Sequence, residues 1–179
     1  MSTRERIRQV ALKLFTDQGY EATSLREIAE RLGVTKAALY YHFRTKDEIV
    51  QSLLHDQAAA LDALIEWARQ QPRTREARQE FIRRYADMIF DGDSYGQFMR
   101  FLERNQSSAQ KLHAGAAMRE RMATIQEILA PPEAPLPERL RRTLAVLALH
   151  SSWFTLRGPQ ISDEQRKAAA LEVALSLVE

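Results

Sequence analysis

The sequence predicts an all-α protein of nine helices arranged in two domains. Three observations carry that expectation. Apolar residues recur at helical spacing along nearly the whole chain. The six glycines and six prolines are few and fall mostly between the periodic stretches. No stretch sustains the apolar–polar alternation of a strand. At 179 residues and 45% hydrophobic content, the chain is long and apolar enough to bury a real core.

Each element has its own signal. Ile7, Val10, Ala11, Leu14 and Phe15 form the first stripe, and Gly19 follows where a C-terminal glycine belongs. Ser24 and Glu27 read as a capping box ahead of Leu25, Ile28, Ala29 and Leu32, with Gly33 closing that helix. Thr35 caps a short third helix to about His42. Thr45 and Glu48 form another box and open a long helix to about Gln70, which joins the two domains. Thr74 caps a helix to about Phe90. Ser94 and Gln97 suggest a helix to about Asn105, and another covers about 107–130. The proline-rich 131–137 is a loop, and a helix follows over about 137–157. Gly158-Pro159 breaks it, and Ser162 with Gln165 boxes the last helix, about 163–178.

Composition excludes several classes of function. With no cysteine there is no disulfide framework, thiol nucleophile or Cys-based zinc site. His113 and His150 are isolated and match no metal-ligand spacing, so no metal or other cofactor is expected. No glycine-rich phosphate loop and no nucleophile–base set is recognisable, so no catalytic residue is assigned. No apolar run approaches the ~20 residues of a membrane span, and no apolar segment follows the basic N-terminus as in a signal peptide. A cytoplasmic protein is expected. The basic side chains are 21 Arg and 5 Lys, a bias that fits a GC-rich genome. Charge is uneven: residues 1–46 carry a net +4 and the remainder −2. A basic head on a slightly acidic body suggests that the head meets a polyanion.

Residues 24–43 have the grammar of a helix-turn-helix: a helix of about eight residues, a glycine turn, the apolar plug Val34, and a short second helix. On that second helix, Thr35–His42, the Leu39 side is expected to face the core along with Ala38 and His42, helped by Phe43. Lys36, Ala37, Tyr40 and Tyr41 take the other side. Tyrosine hydroxyls and the lysine ammonium can donate to phosphate, and an alanine methyl can touch thymine while keeping the helix slim. Ser24 and Thr35 cap helix N-termini, which also favour phosphate. Arg26, His42 and Lys46 are further candidates, each with an ordinary alternative as a surface charge or structural histidine.

The stretch from Ile7 to Leu53 resembles the N-terminal domain of the TetR/AcrR family of bacterial transcriptional regulators. The residues carrying it are Ala11, Leu14, Phe15, Gly19-Tyr20, Ala22-Thr23-Ser24, Ile28-Ala29, Gly33-Val34, Ala38–Phe43 and Lys46-Asp47-Glu48. The segment GVTKAALYYHFRTKDEI is far more specific than a generic helix-turn-helix. The resemblance covers about a quarter of the chain. It implies DNA contacts at Ser24, Arg26, Lys36, Ala37, Tyr40, Tyr41, His42 and Lys46; Thr35 joins them as the cap. It divides the chain into a DNA-binding domain over 1–46 and a helical ligand-binding and dimerisation domain over 47–179.

The body carries no alignable signature. Its last helix is apolar nearly all round and needs cover on both sides. Leu171, Leu175 and Val178, with Leu140, Leu144 and Leu147 of the preceding helix, are therefore expected at a four-helix homodimer interface, with an intrachain core as the other reading. By resemblance, an unidentified small molecule binding in the body would release double-stranded operator DNA. Trp67, Tyr85, Met88, Phe98, Met99, Phe101, Met118, Met122, His150, Trp153 and Phe154 could line its pocket, though each also reads as core. A constitutive or architectural DNA-binding protein shares the same head and remains the alternative. The operator sequence, the regulated genes and the effector are not encoded in these patterns.

Overall fold

The structure, a computed structural model, describes residues 1–90, 101, 115–158 and 160–179. Among the described residues there are eight helices and no strand. They are α1 (Thr3–Asp17), α2 (Leu25–Leu32), α3 (Lys36–His42), α4 (Lys46–Arg69), α5 (Arg75–Phe90), α6 (Gly115–Leu129), α7 (Leu136–Thr155) and α8 (Asp163–Leu177). The helix expected over about 94–105, and the start of the one expected from 107, lie outside the described residues apart from Phe101.

The first compact unit holds Met1–Gln57 together with Phe101. Its core is built from Ile7, Ala11, Leu12, Leu14 and Phe15 of α1, Ile28 and Ala29 of α2, Leu39 of α3, and Ile49, Val50 and Leu53 of α4. Tyr20 and Phe43 close it. α1 begins well before its apolar stripe, because Ser2 and Glu5 form a complete capping box. An ion pair between Arg8 and Asp56 ties α1 to α4.

The second unit holds the described residues of 58–93 and 115–179. α7 packs against α8, α6 and α5, and α5 packs against α8. Its buried residues include Leu61, Leu64 and Ile65 of α4, Phe81, Ile82, Tyr85 and Ile89 of α5, and Ile125 and Leu129 of α6. Ala145, Val146 and Leu149 of α7 and Ala170, Ala174 and Val178 at the C-terminus complete the set. Arg121 grips the Asp62 carboxylate with two hydrogen bonds of 2.7 Å.

Two buried arginines terminate helices here. Arg142 donates at 2.8 Å to the carbonyl of Leu129, the last residue of α6. Arg166 donates at 3.2 Å to the carbonyl of Leu156, which caps α7. Both use the cationic fork to satisfy carbonyls that a helix end leaves open.

The boundary expected between residues 46 and 47 moves. The two units divide inside α4, at Gln57/Ala58, because Ile49, Val50 and Leu53 are fully part of the first core. The opening of α4 is thus a fourth wall of the head.

Candidate nucleic-acid interface

The turn between α2 and α3 sets the geometry of the head. Gly33 has φ +67° and ψ +30°, a left-handed conformation that suits glycine. Its N–H bonds the Glu30 carbonyl, and the Val34 N–H bonds the Ala29 carbonyl, both at 3.1 Å. That paired arrangement is a Schellman motif, which closes the end of α2 and turns the chain into α3. Thr35 then caps α3, its Oγ1 accepting from the Ala38 N–H at 3.1 Å. Ser24 does the same for α2, accepting from the Glu27 N–H at 3.2 Å.

α3 is anchored by one fully buried side chain, Leu39, followed by Phe43. The rest of the helix is free to face a partner. Lys36, Ala37, Tyr40 and Tyr41 are all exposed, Tyr41 at 87% and Tyr40 at 39%. The Lys36 ammonium lies over the Tyr40 ring at 5.2 Å, and the Tyr41 and His42 rings meet edge-on at 5.2 Å. Ala38, expected on the core side, is exposed; Leu39 and Phe43 alone supply the apolar anchor. His42 is half-buried.

Ser24, Arg26 and Thr35 are also exposed. The two hydroxyls accept from backbone N–H groups and keep their own protons for donation, for instance to phosphate oxygen. Arg26 is paired with Glu30 one turn on, at 2.7 Å. The Glu30 carboxylate holds its basicity above the usual arginine value.

Lys46 is placed differently from a freely solvated lysine. Its Nζ donates to the carbonyls of Tyr20 at 2.5 Å and Glu21 at 3.4 Å, and lies 4.4 Å from the centre of the Tyr20 ring. The Tyr20 hydroxyl donates to Asp47. Burial first, and then that carboxylate, push the Tyr20 hydroxyl well above the ordinary tyrosine range, so it stays protonated. The α1–α2 connection is in this way fastened to the start of α4.

Arg4 was not a sequence candidate. Its guanidinium lies 4.4 Å from the centre of the Phe43 ring and donates to the His42 carbonyl at 3.5 Å, while the residue remains exposed. It sits at the C-terminal end of α3. The Arg4, Arg6 and Arg8 cluster was the available signal, but only the fold shows which member reaches that helix.

The pocket candidates divide. Phe98 and Met99 lie outside the described residues. Phe101 is corrected: it is fully buried in the core of the first unit, against Phe15 at 5.9 Å and Tyr20 at 6.2 Å between ring centres. Within the second unit, Tyr85 and His150 are brought together, sharing a hydrogen bond of 2.7 Å. Burial pushes the His150 imidazole down to about 4, so it is neutral at pH 7. Trp153 stacks on Phe90 at 5.5 Å and lies under Arg166, while Trp67 lies under Arg84 at 4.0 Å. Met88 and Met122 are half-buried. Met118 and Phe154 are on the surface of the chain.

Of the expected dimer residues, Leu140 is 61% exposed and Leu147 52%, with Leu144 exposed between them. Leu171 and Leu175 are half-buried. Val178 is corrected: it is wholly covered by its own chain and has no surface to offer a partner.

No group of three or more His, Cys, Asp or Glu side chains that could hold a metal is found among the described residues. Nor is any helix among them long and apolar enough to cross a membrane.

Residues 7–53 match the family model described as bacterial regulatory proteins, tetR family. The chain is 38% identical over 55 residues to the HTH-type transcriptional repressor KstR2 of Mycolicibacterium smegmatis, covering 31% of this chain and 27% of that protein. It is 47% identical over 51 residues to the HTH-type transcriptional regulator AcrR of Shigella flexneri, covering 28% and 24%. Over 81 residues it is 36% identical to the HTH-type transcriptional activator FasR of M. smegmatis, covering 45% of this chain and 36% of that protein. The chain thus spans only about a quarter to a third of the length of these relatives. Among solved structures, the TetR family transcriptional regulator PfmR from Thermus thermophilus superposes with a TM-score of 0.69 at 28% identity, covering 96% of this chain and 97% of that one.

Proposed function

This chain belongs to the TetR/AcrR family of bacterial transcriptional regulators, and from that premise we propose that it is a ligand-released repressor. It binds a near-palindromic operator as a homodimer, through a DNA-binding head that includes the opening of α4 and a helical body for ligand and dimer contacts. It works as a regulator rather than an enzyme, in the cytoplasm. The observation that carries this reading is α3: a helix anchored by Leu39 and Phe43 whose exposed face consists of Lys36, Ala37, Tyr40 and Tyr41. Those groups match phosphate oxygens and thymine methyls in a major groove. Ser24, Arg26, Thr35, His42 and Lys46 complete the contact surface.

The exposed leucines of α7 and the half-buried Leu171 and Leu175 of α8 support the homodimer. Its two recognition helices read half-sites about one DNA turn, ~34–36 Å, apart. The effector binds the DNA-incompetent state more tightly, and that difference in affinity limits how far it can release DNA. Repression follows the relative named as a repressor, KstR2; the relative named as an activator, FasR, makes the sign of regulation a matter for measurement.

Constitutive binding is the second reading. It is favoured by one observation: Phe101 of the expected pocket set is in the core of the head, and Met118 and Phe154 lie on the surface. The test is a fluorescence-anisotropy titration against DNA from upstream of the protein's own gene, at two salt concentrations, with random DNA as the reference. Binding that exceeds random DNA supports the operator reading, and release by a compound library then selects the ligand-responsive form. Sequence-blind binding there, and again after selection from random DNA, would overturn it.

A further inference from the structure

The second unit holds a cationic cavity lined by none of the candidates discussed above. It lies at the α4–α5 turn, has a volume of about 190 Å³, and is bordered by the end of α4, the start of α5 and by α6. Its charged lining is Arg69, Arg73 and Arg78 against a single carboxylate, Glu127. Ala68, Ala77, Phe81 and Ile128 form an apolar wall.

Arg78 is the unusual member. It is half-buried, and its Nε is buried with no hydrogen-bond partner among the described residues. Burial lowers its basicity, and the nearby charge of Arg142 adds to the effect. Glu138, which also pairs with Arg142, and Glu76 act against that lowering without cancelling it. A partly desolvated guanidinium with an Nε that has no partner among the described residues is costly. It is also shaped to accept a planar carboxylate with two parallel N–H bonds.

We propose that this cavity binds a small organic carboxylate, its anionic head on Arg78 and its apolar body against Phe81 and Ile128. The volume is below that of drug-sized pockets, ~300–1,000 Å³, so the ligand is small and compact. The apolar wall favours an aromatic or branched acid over inorganic phosphate. The site stands independently of DNA binding, and its test needs no DNA.

The probe is benzoate, with benzamide as its uncharged analogue and inorganic phosphate as an anion without an apolar body. Melting curves and titration calorimetry are run on the full chain, on Arg78→Gln, and on Ala77→Leu, which keeps the charge but fills the space. Benzoate at about ten times its Kd should raise the Tm of the unsubstituted protein by a few degrees. Benzamide and phosphate should not. Arg78→Gln should weaken benzoate at least about tenfold, and Ala77→Leu should block it. Without ligand, Arg78→Gln should melt no lower than the unsubstituted protein, because it removes a partly desolvated charge whose Nε has no partner among the described residues. The proposal is overturned if benzoate gives no shift, if phosphate or benzamide matches it, or if both variants bind as before. A large fall in the Tm of unliganded Arg78→Gln would also overturn it, by showing Arg78 to be a structural cation. None of these failures would touch the DNA-binding reading.

Discussion

Lys36 and Lys46 are both basic residues of the proposed contact surface, yet the structure places them differently. Lys36 is exposed, with its ammonium over the Tyr40 ring. Lys46 is bonded to the Tyr20 and Glu21 carbonyls and supports the head from within. Lys36→Ala should therefore change DNA binding without changing Tm, and should alter base preference if the ammonium reads a guanine edge. Lys46→Ala should weaken all DNA sequences alike, lower the salt slope by about 0.9 per protomer if it neutralises one phosphate, and also lower Tm. Anisotropy at three salt concentrations, with a parallel melting curve, checks both; unchanged Tm and unchanged DNA binding in Lys46→Ala would refute its assignment. His150 gives a residue-scale prediction in the body. Its imidazole is depressed to about 4 by burial, against about 6.5 in an unfolded chain. Between those values the unfolded state binds the extra proton, so stability rises with pH across that window. The contribution is complete above about pH 6.5 and is lost as pH falls toward 4, amounting to up to about 3 kcal/mol. Urea denaturation at pH 7.5 and 5 should show the loss, and His150→Gln should flatten it. The sequence names these residues as candidates by type and position. It does not show that Lys46 is already bonded, because its carbonyl partners lie 25 and 26 residues away.

The α2-turn-α3 unit was the most legible element, because its signals are local. Gly33 follows the last periodic residue, and its left-handed backbone is what a helix-ending glycine supplies. Gly33→Ala meets no atom within 4 Å, so its cost is conformational alone. It should destabilise the chain by about 1 kcal/mol, and Gly33→Asn by less, in urea unfolding. Leu39→Ala should cost more, about 3 kcal/mol, since it removes the one buried side chain of α3. A smaller loss from Leu39→Ala than from Gly33→Ala would contradict the idea that α3 is held by packing. Where neighbours came from elsewhere in the chain, the local signals were incomplete. Ser24 caps α2, but the Glu27 carboxylate expected to complete the box accepts from Gln18 Nε2 instead. Likewise Glu48 accepts from the Arg44 N–H rather than that of Thr45. Phe101 shows the same limit for packing: an aromatic side chain at helical spacing declares itself buried without declaring in which core. The arginine caps on α6 and α7 were equally invisible, because a sequence does not show which carbonyl a long side chain will reach.

For the molecule as a whole, the decisive matter is the proposed homodimer. Leu140, Leu144 and Leu147 recur at three, four and seven residues along α7, so they share one face. All three are exposed in the single chain, with Leu136 before them and Val173 exposed on α8. Such an apolar stripe is costly to leave in water and suited to a self-complementary contact, in which every residue is used twice across the two-fold axis. The substitutions Leu140→Glu and Leu147→Glu together would bring four unpaired carboxylates into that contact. Each costs several kcal/mol when buried without a partner, so the dimer should weaken by more than about 100-fold. The folded monomer should survive, because both positions face solvent within the chain. Light scattering coupled to size exclusion should then read about 21 kDa in place of about twice the 20.6 kDa chain mass. Affinity for a two-half-site operator should fall, while the weaker binding to a single half-site should persist, since α3 is untouched. A doubly substituted protein that remained dimeric would place the interface on another face. A substituted monomer that still bound the full operator as tightly would mean that the two heads need not be joined to read it.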